Sequence, residues 1–469
     1  MAINLGASLR WKTADAEETA MLADLQGNIL KGHGRHATRH IFLEFSRDQA
    51  RSRKFIRDLS TLIVSAHEQL RQADAHKLTG ISGGPLVAFF LSFEGYQALG
   101  AEALAPADEA FRLGMRARVD ILADPPKAEL DEDYQGALHA MVLIAGDPDD
   151  PDSWTSNVVD DVETKILNLL GGGGRVVAAE AGRAIFNAAG GGLEHFGYVD
   201  GRSQPLLLVE DIEKEEAVEG GIDHWDPTST LEQVLVKDPG SPSDTGFGSY
   251  FVFRKLEQNV RKFDAIIEDG LGDELGIGDL AGAMIVGRWE DGTSVELFGS
   301  PGHVNPISNN FNYSGDPDGL RCPVHAHVRK TNPRGETGDP AEHRHLMARR
   351  GIPYGRRDSI VDPQDKPEGD VGLLFMAYQS DIARQFEFTQ ALWANNPDFV
   401  RPLVRPGPQT GLDPTIGQVQ PPGTRPPLQL PKAWDNAGAG TLAKSLPAFV
   451  TMKGGEYFFA PAKSTLASL

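Results

Sequence analysis

The chain has 469 residues, 40% apolar and 24% charged, the balance of a folded globular protein with room for about two to four domains. Lys and Arg number 45 against 66 Asp and Glu, a net charge of −21 that repels nucleic acid and anionic membranes except at a local basic patch. No run approaches the ~18 apolar residues of a membrane span, the segment Met1–Trp11 shows no secretory leader, and the lone Cys322 excludes an internal disulfide framework, so a cytoplasmic address is expected.

In chain order, residues 1–22 read as a polar lead-in. Arg39–Phe45 alternates as a strand with Ile41, Leu43 and Phe45 on one face. Arg47–Leu59 carries a helical apolar stripe of Ala50, Phe55, Ile56 and Leu59. Pro85–Phe93 is a solid apolar strand, and a helix starts at Glu94. The run Gly171–Gly174 lacks the Gly-Lys-Ser/Thr ending of a phosphate-binding loop and reads as a connection. Glu210–Gly248, dense in Glu, Asp, Pro, Ser and Gly, reads as a connecting loop. The second half echoes the first: a strand at Ser249–Arg254 followed by a helix over Leu256–Ile267, and a strand at Val371–Gln379 followed by a helix over Asp381–Trp393. Pro402–Pro431 is strewn with prolines, which exclude helix and central strand and predict a surface excursion able to wall a pocket. The echo predicts two copies of a strand–helix–strand unit, an α+β fold of duplicated ferredoxin-like type. The division expected is a lead-in over 1–22, one ferredoxin-like domain over 23–208, a connector over 209–248 and a second domain over 249–469.

Chemistry concentrates in Cys322–Arg334, where His325, His327, Arg329, Lys330 and Arg334 crowd into an otherwise acidic chain. His325 and His327 would share a face in a strand, and His343 and His345 repeat the spacing, so a four-histidine, non-haem metal site is one reading. Against it, Arg329, Arg334, Arg344, Arg349 and Arg350 surround these histidines; they would weaken a divalent metal but would help to hold the propionates of a haem. Asp200, in Gly197-Tyr-Val-Asp-Gly201, is an ordinary turn residue by composition, yet the flanking glycines allow the backbone to approach a flat cofactor.

Gly197–Gly201, the stretch from His327 to Arg334, and Arg349-Arg-Gly-Ile-Pro-Tyr-Gly355 together resemble the dye-decolorizing peroxidase family. Asp24–Leu30, Gly248–Arg254, Gly287–Gly292 and Leu373–Gln379 resemble it too, and the Leu25-Gln-Gly-Asn-Ile-Leu30 opening is similar to the longer-chain branch with fungal and cyanobacterial members. The resemblance implies two ferredoxin-like domains in a dimeric α+β barrel-like arrangement, with one haem b per chain in the C-terminal half. It implies that His327 is the axial iron ligand, Asp200 the acid–base residue and Arg349 the distal arginine. Arg334 and Arg329 would hold propionates, Leu373 and Phe375 would roof the pocket, and Asp381 would bond the axial imidazole. Trp393 and Tyr354 fall where relatives carry surface oxidation sites. The activity implied is oxidation of dyes and phenolic compounds by hydrogen peroxide through an oxo-ferryl state, at acid pH because an aspartate base titrates near ~3.9 and a histidine near ~6.5. A monomer or homodimer is expected, and a non-catalytic haem carrier or sensor is the alternative.

Overall fold

The computed structural model describes residues 3–150, 153–218, 220–338, 342–357, 364–419 and 425–469. Its centre is a ten-stranded antiparallel sheet. The strands are β1 (Ala37–Phe45), β2 (Leu86–Leu91), β3 (Ala140–Gly146), β4 (Gly174–Arg183), β5 (Val236–Lys237), β6 (Phe247–Gln258), β7 (Ala348–Arg349), β8 (Ile352–Tyr354), β9 (Gly372–Gln379) and β10 (Val450–Ala460). Their order is β5-β6-β10-β2-β3-β1-β4-β8-β9-β7, and β6 also pairs with β9. All but the marginal β5 and β7 therefore close into a ring.

The ring has two halves. Within each, the ladders are long: β1 pairs with β3 and β4, and β6 with β9 and β10, over most of their lengths. Between the halves each seam is one residue pair, Phe459 with Leu91 and Tyr354 with Gly182. Two four-stranded antiparallel sheets with their own helices thus meet edge to edge, the α+β duplication of ferredoxin-like units expected from the sequence echo.

Alternation along the strands sorts the side chains. On β6, Phe251 stacks on Phe90 at 4.2 Å between ring centres and Phe253 meets Phe42 at 4.7 Å, filling the interface between the halves. Arg254, Leu256 and Gln258 point the other way and line a cavity. On β9, Leu374, Met376 and Tyr378 are fully buried, while Leu373 and Phe375 face the same cavity. The site therefore rests on the outer face of the C-terminal sheet.

The helix expected after β1 is present as α1 (Gln49–Ser60), capped by the Asp48 carboxylate on the N–H of Arg51, with Phe55, Ile56 and Leu59 buried. Two expectations differ, and the helix expected after β9 is present with a different winding. The strand at 249–254 extends to Gln258, and helix begins only at Val260, because the Leu256 and Gln258 side chains face the cavity rather than a helical stripe. The stretch after β9 forms π-helical turns over Ala383–Glu387 and Thr389–Ala394. Residues 210–248 are more than a loop: Val209–Glu216 is helical with Ile212 buried, and Trp225 and Pro227 reach the cavity wall. Of the proline-rich stretch 402–431, residues 420–424 lie outside the described residues, 402–419 is irregular as expected, and Leu428–Pro431 forms an outlying two-stranded pair with Thr441–Lys444. Among the described residues no helix is long and apolar enough to cross a membrane.

Candidate active site

A cavity of about 500 Å³ lies against β6, β9 and β10. It lies within the ordinary range for a cofactor pocket. His327, Asp200, Arg349, Arg334, Leu373 and Phe375, far apart in sequence, all line it.

His327 opens the short helix α2 (His327–Thr331). The helix is held by its other side chains: Arg329 pairs with Asp316 at 3.0 Å and with Glu336, and the Lys330 ammonium donates to the carbonyls of Asn396 and Phe399. Residues two apart on a helix point about 200° from each other, so His327 faces the cavity while Arg329 points into the protein. Arg329 is therefore not a propionate partner; its guanidinium is fully buried over the Tyr313 ring between two carboxylates. His325 lies in the turn that precedes this helix and does not line the cavity. His325 is buried, His343 stacks on Trp225, and His345 stacks on Phe388. Among the described residues no group of three or more His, Cys, Asp or Glu is placed to hold a metal ion, so the four-histidine site does not form.

The partner of His327 is Asp413, not Asp381. His327 Nδ1 donates to Asp413 Oδ2 at 2.8 Å. Asp381 instead accepts the N–H of Arg384, starting the turns after β9, where its side chain is 37% exposed. Asp413 arrives from the proline-rich excursion. Its Oδ1 accepts the N–H groups of Thr415 and Ile416, and Arg425 donates to the carbonyls of Asp413 and Gly417. The carboxylate is thus fully buried and oriented. Burial alone would lower the His327 pKa, but the Asp413 charge and hydrogen bond raise it above the ordinary histidine value; burial opposes ionisation of Asp413, yet His327 and the turn amides hold its pKa below the usual carboxylate range. With Nδ1 engaged, Nε2 is the nitrogen left for a ligand in the cavity.

Asp200 sits on a braced turn. The Glu194 carboxylate accepts the N–H groups of Phe196 and Tyr198, each at 2.9 Å, and burial pushes its pKa up to about 7. Gly197 and Gly201 adopt φ of +100° and +75°, which a side chain would strain. Asp200 Oδ1 lies 3.7 Å from Arg349 Nη1. Arg349 is on β7, opposite Ala377 of β9. Its backbone N–H donates to Gln204 Oε1 at 3.0 Å and its Nη2 to the Ser203 carbonyl at 2.9 Å.

Sequence reasoning missed Arg288. It and Arg334 line the cavity, and neither has a carboxylate in ion-pair range among the described residues. Arg334 donates to Ser203 Oγ and the carbonyls of Asn309 and Phe311; Arg288 donates to Gly292 and Asn309. Burial lowers their pKa values to about 9 and about 10. By contrast Arg254, also in the wall, is neutralised by buried Asp124 through two bonds. Two buried cations without counter-ions beside a cavity call for an anionic ligand.

Trp393 and Tyr354 are not surface residues. Trp393 is 3% exposed, stacked on Phe399, and Tyr354 is 6% exposed on β8 at the seam of the ring. Trp393 does meet His345, a cavity residue, edge-on at 5.1 Å.

An imidazole nitrogen facing the cavity and backed by a buried carboxylate, an aspartate–arginine pair in the same cavity and guanidinium groups without carboxylate partners at its wall fit a haem. Comparison with known proteins agrees. Residues 218–404 match the family model for the C-terminal part of Dyp-type peroxidases. The chain is 46% identical over 481 residues to the multifunctional dye peroxidase DyP2 of an Amycolatopsis species, covering 100% of both chains, and superposes on the solved structure of that protein with a TM-score of 0.92. The Dyp-type peroxidase of an Anabaena species matches with a TM-score of 0.88 at 38% identity, covering 98% of this chain and 97% of the other. A dye-decolorizing peroxidase of Exidia glandulosa is 31% identical over 94% of this chain and 86% of its own. The chain belongs to the Dyp-type, or dye-decolorizing, peroxidase family, haem-dependent oxidoreductases that use hydrogen peroxide.

Proposed function

We propose that this peroxidase carries one haem b per chain, which His327 Nε2 would hold, and oxidises dyes and phenolic aromatic compounds. The observation that carries this reading is one cavity lined both by His327, which Asp413 bonds from behind, and by the Asp200–Arg349 pair. Bound there, haem supplies the iron at which peroxide is reduced and the oxidising equivalents are held.

The protein's part is protons, charge and access. Asp200 accepts the proton of incoming hydrogen peroxide and returns it to the departing oxygen, acting first as base and then as acid. Arg349, held through its backbone and side chain by residues 203–204, stabilises the negative charge that builds as the O–O bond breaks. Asp413 keeps the His327 imidazole in one tautomer and makes it a stronger donor. Arg334 and Arg288, both in the cavity wall, would hold the carboxylates of the haem. Leu373 and Phe375 restrict the space beside the reacting oxygen. A carboxylate base makes acid pH the working range. The lone, buried Cys322 fits a cytoplasmic protein, and the two narrow seams of the ring fit a division into domains over 23–208 and 249–469.

The visible spectrum tests this directly. The purified protein should show a Soret band, which one equivalent of peroxide changes and a phenolic donor restores. A fully folded preparation free of porphyrin would overturn the reading. A haem-loaded protein inert to peroxide would mark a carrier or sensor instead.

A further inference from the structure

We propose that Gln204 is a third catalytic residue, donating a hydrogen bond to the oxygen ligand served by Asp200 and Arg349; this rests on the haem reading above. The orientation of its carboxamide follows from chemistry. Gln204 faces the backbone N–H of Arg349 at 3.0 Å, and an N–H can only donate, so the facing atom is Oε1 and the NH2 group points elsewhere. That NH2 bonds no described protein group, yet it is not among the buried polar atoms sealed off without a partner. Gln204 is half-buried in the cavity wall, the side to which the proposed bond directs its donors.

Its position relative to Arg349 is well defined. Ser203 accepts Arg349 Nη2 on its carbonyl and Arg334 Nη2 on its hydroxyl, while Gln204 accepts the Arg349 amide, so residues 203–204 are tied to both arginines. Pro205 follows and also lines the cavity. The Asp200 carboxylate takes a proton and the Arg349 guanidinium supplies charge. The Gln204 amide adds a neutral donor of constant protonation, able to hold the oxygen in place while Asp200 changes state.

The competing role is indirect: Gln204 could serve only to seat Arg349. A double-mutant cycle with fluoride as the probe separates the two, because bound fluoride accepts hydrogen bonds and its affinity is read from the spectrum of the ferric protein without turnover. Gln204→Met should raise the fluoride dissociation constant about tenfold, the loss expected of one hydrogen bond to an anion. The same factor should appear in an Arg349→Leu background, where the backbone N–H and its Gln204 anchor remain. The proposal is overturned if Gln204→Met leaves fluoride binding at the parent value, or if its effect vanishes in the Arg349→Leu background. If Arg349→Leu and Asp200→Asn themselves change neither fluoride binding nor the peroxide reaction, it is the haem-site reading that fails. Should Gln204→Met lose haem, Gln204→Asn, which withdraws the amide by one methylene, is read by the same cycle.

Discussion

Asp413→Asn isolates what one buried carboxylate does to the site. The native contact is a 2.8 Å hydrogen bond from His327 Nδ1 to a fully buried oxygen whose neighbour Oδ1 already accepts two backbone N–H groups. Asparagine keeps the shape but has one acceptor oxygen where the carboxylate uses two; with that carbonyl turned to the imidazole its NH2 faces the Thr415 and Ile416 amides, and the bond from His327 to a charged group becomes a neutral one. Such bonds differ by ~1–2 kcal/mol. If that difference acts on the ferric state in preference to the ferrous, the midpoint potential rises, by ~40–85 mV for a one-electron couple at 59 mV per factor of ten. Spectroelectrochemical titration of the Soret band measures this, and Asp381→Asn is the matched control because that carboxylate bonds the Arg384 amide. A potential unchanged in Asp413→Asn, or shifted equally by Asp381→Asn, would refute the assignment of the imidazole partner.

His327→Ala should abolish haem retention, seen as loss of the Soret band at normal folded yield. Asp200→Asn and Arg349→Leu should retain haem yet slow the stopped-flow reaction with peroxide by ~10²-fold or more, the usual worth of an acid–base group or a charge-stabilising donor. Arg334→Met removes a buried cation that has no carboxylate partner, so it should weaken haem binding in reconstitution titrations while leaving the peroxide reaction of the loaded fraction near the parent rate. For the haem-free protein the His327–Asp413 pair predicts a pH window. The raised His327 pKa contributes stability fully below ~6.5 that is lost as pH rises through its folded value, and the lowered Asp413 pKa contributes stability above ~3.9 that is lost as pH falls through its folded value. The deficit in melting temperature of Asp413→Ala should therefore be greatest at pH between these values and shrink on either side; a deficit independent of pH would contradict the coupling.

Much of the site was legible because it rides on short motifs. Asp200 needs a glycine-flanked turn, and His327 and Arg349 sit in dense basic stretches whose neighbours are near in sequence. The strands were legible where apolar residues run unbroken, as in Leu86–Leu91, buried on both faces, and in Gly372–Gln379, where Leu373 and Phe375 face the cavity, since such runs leave little choice. The local signal misled where parity or neighbourhood stood in for geometry. Arg329 is two residues from His327, and the chain there is helical, so proximity in sequence became opposition in space. Asp381 lies near the cavity-lining strand, but its carboxylate is used by its own turn.

Patterning pointed to an acidic α+β chain of two related halves, and the order of motifs that resemble one family singled out a histidine, an aspartate and a group of arginines for chemistry. Only the tertiary structure decided which carboxylate reaches His327, which arginines are left without counter-ions, and that the aromatic residues thought to lie on the surface are buried. The reason is physical: propensity and spacing act over a few residues, whereas the partner of a buried charge is chosen by whichever distant loop closes over it. In this chain the loop carrying Asp413 comes from the proline-rich excursion, 86 residues from His327, and only the fold shows that this one carboxylate between Pro402 and Pro431 turns inward.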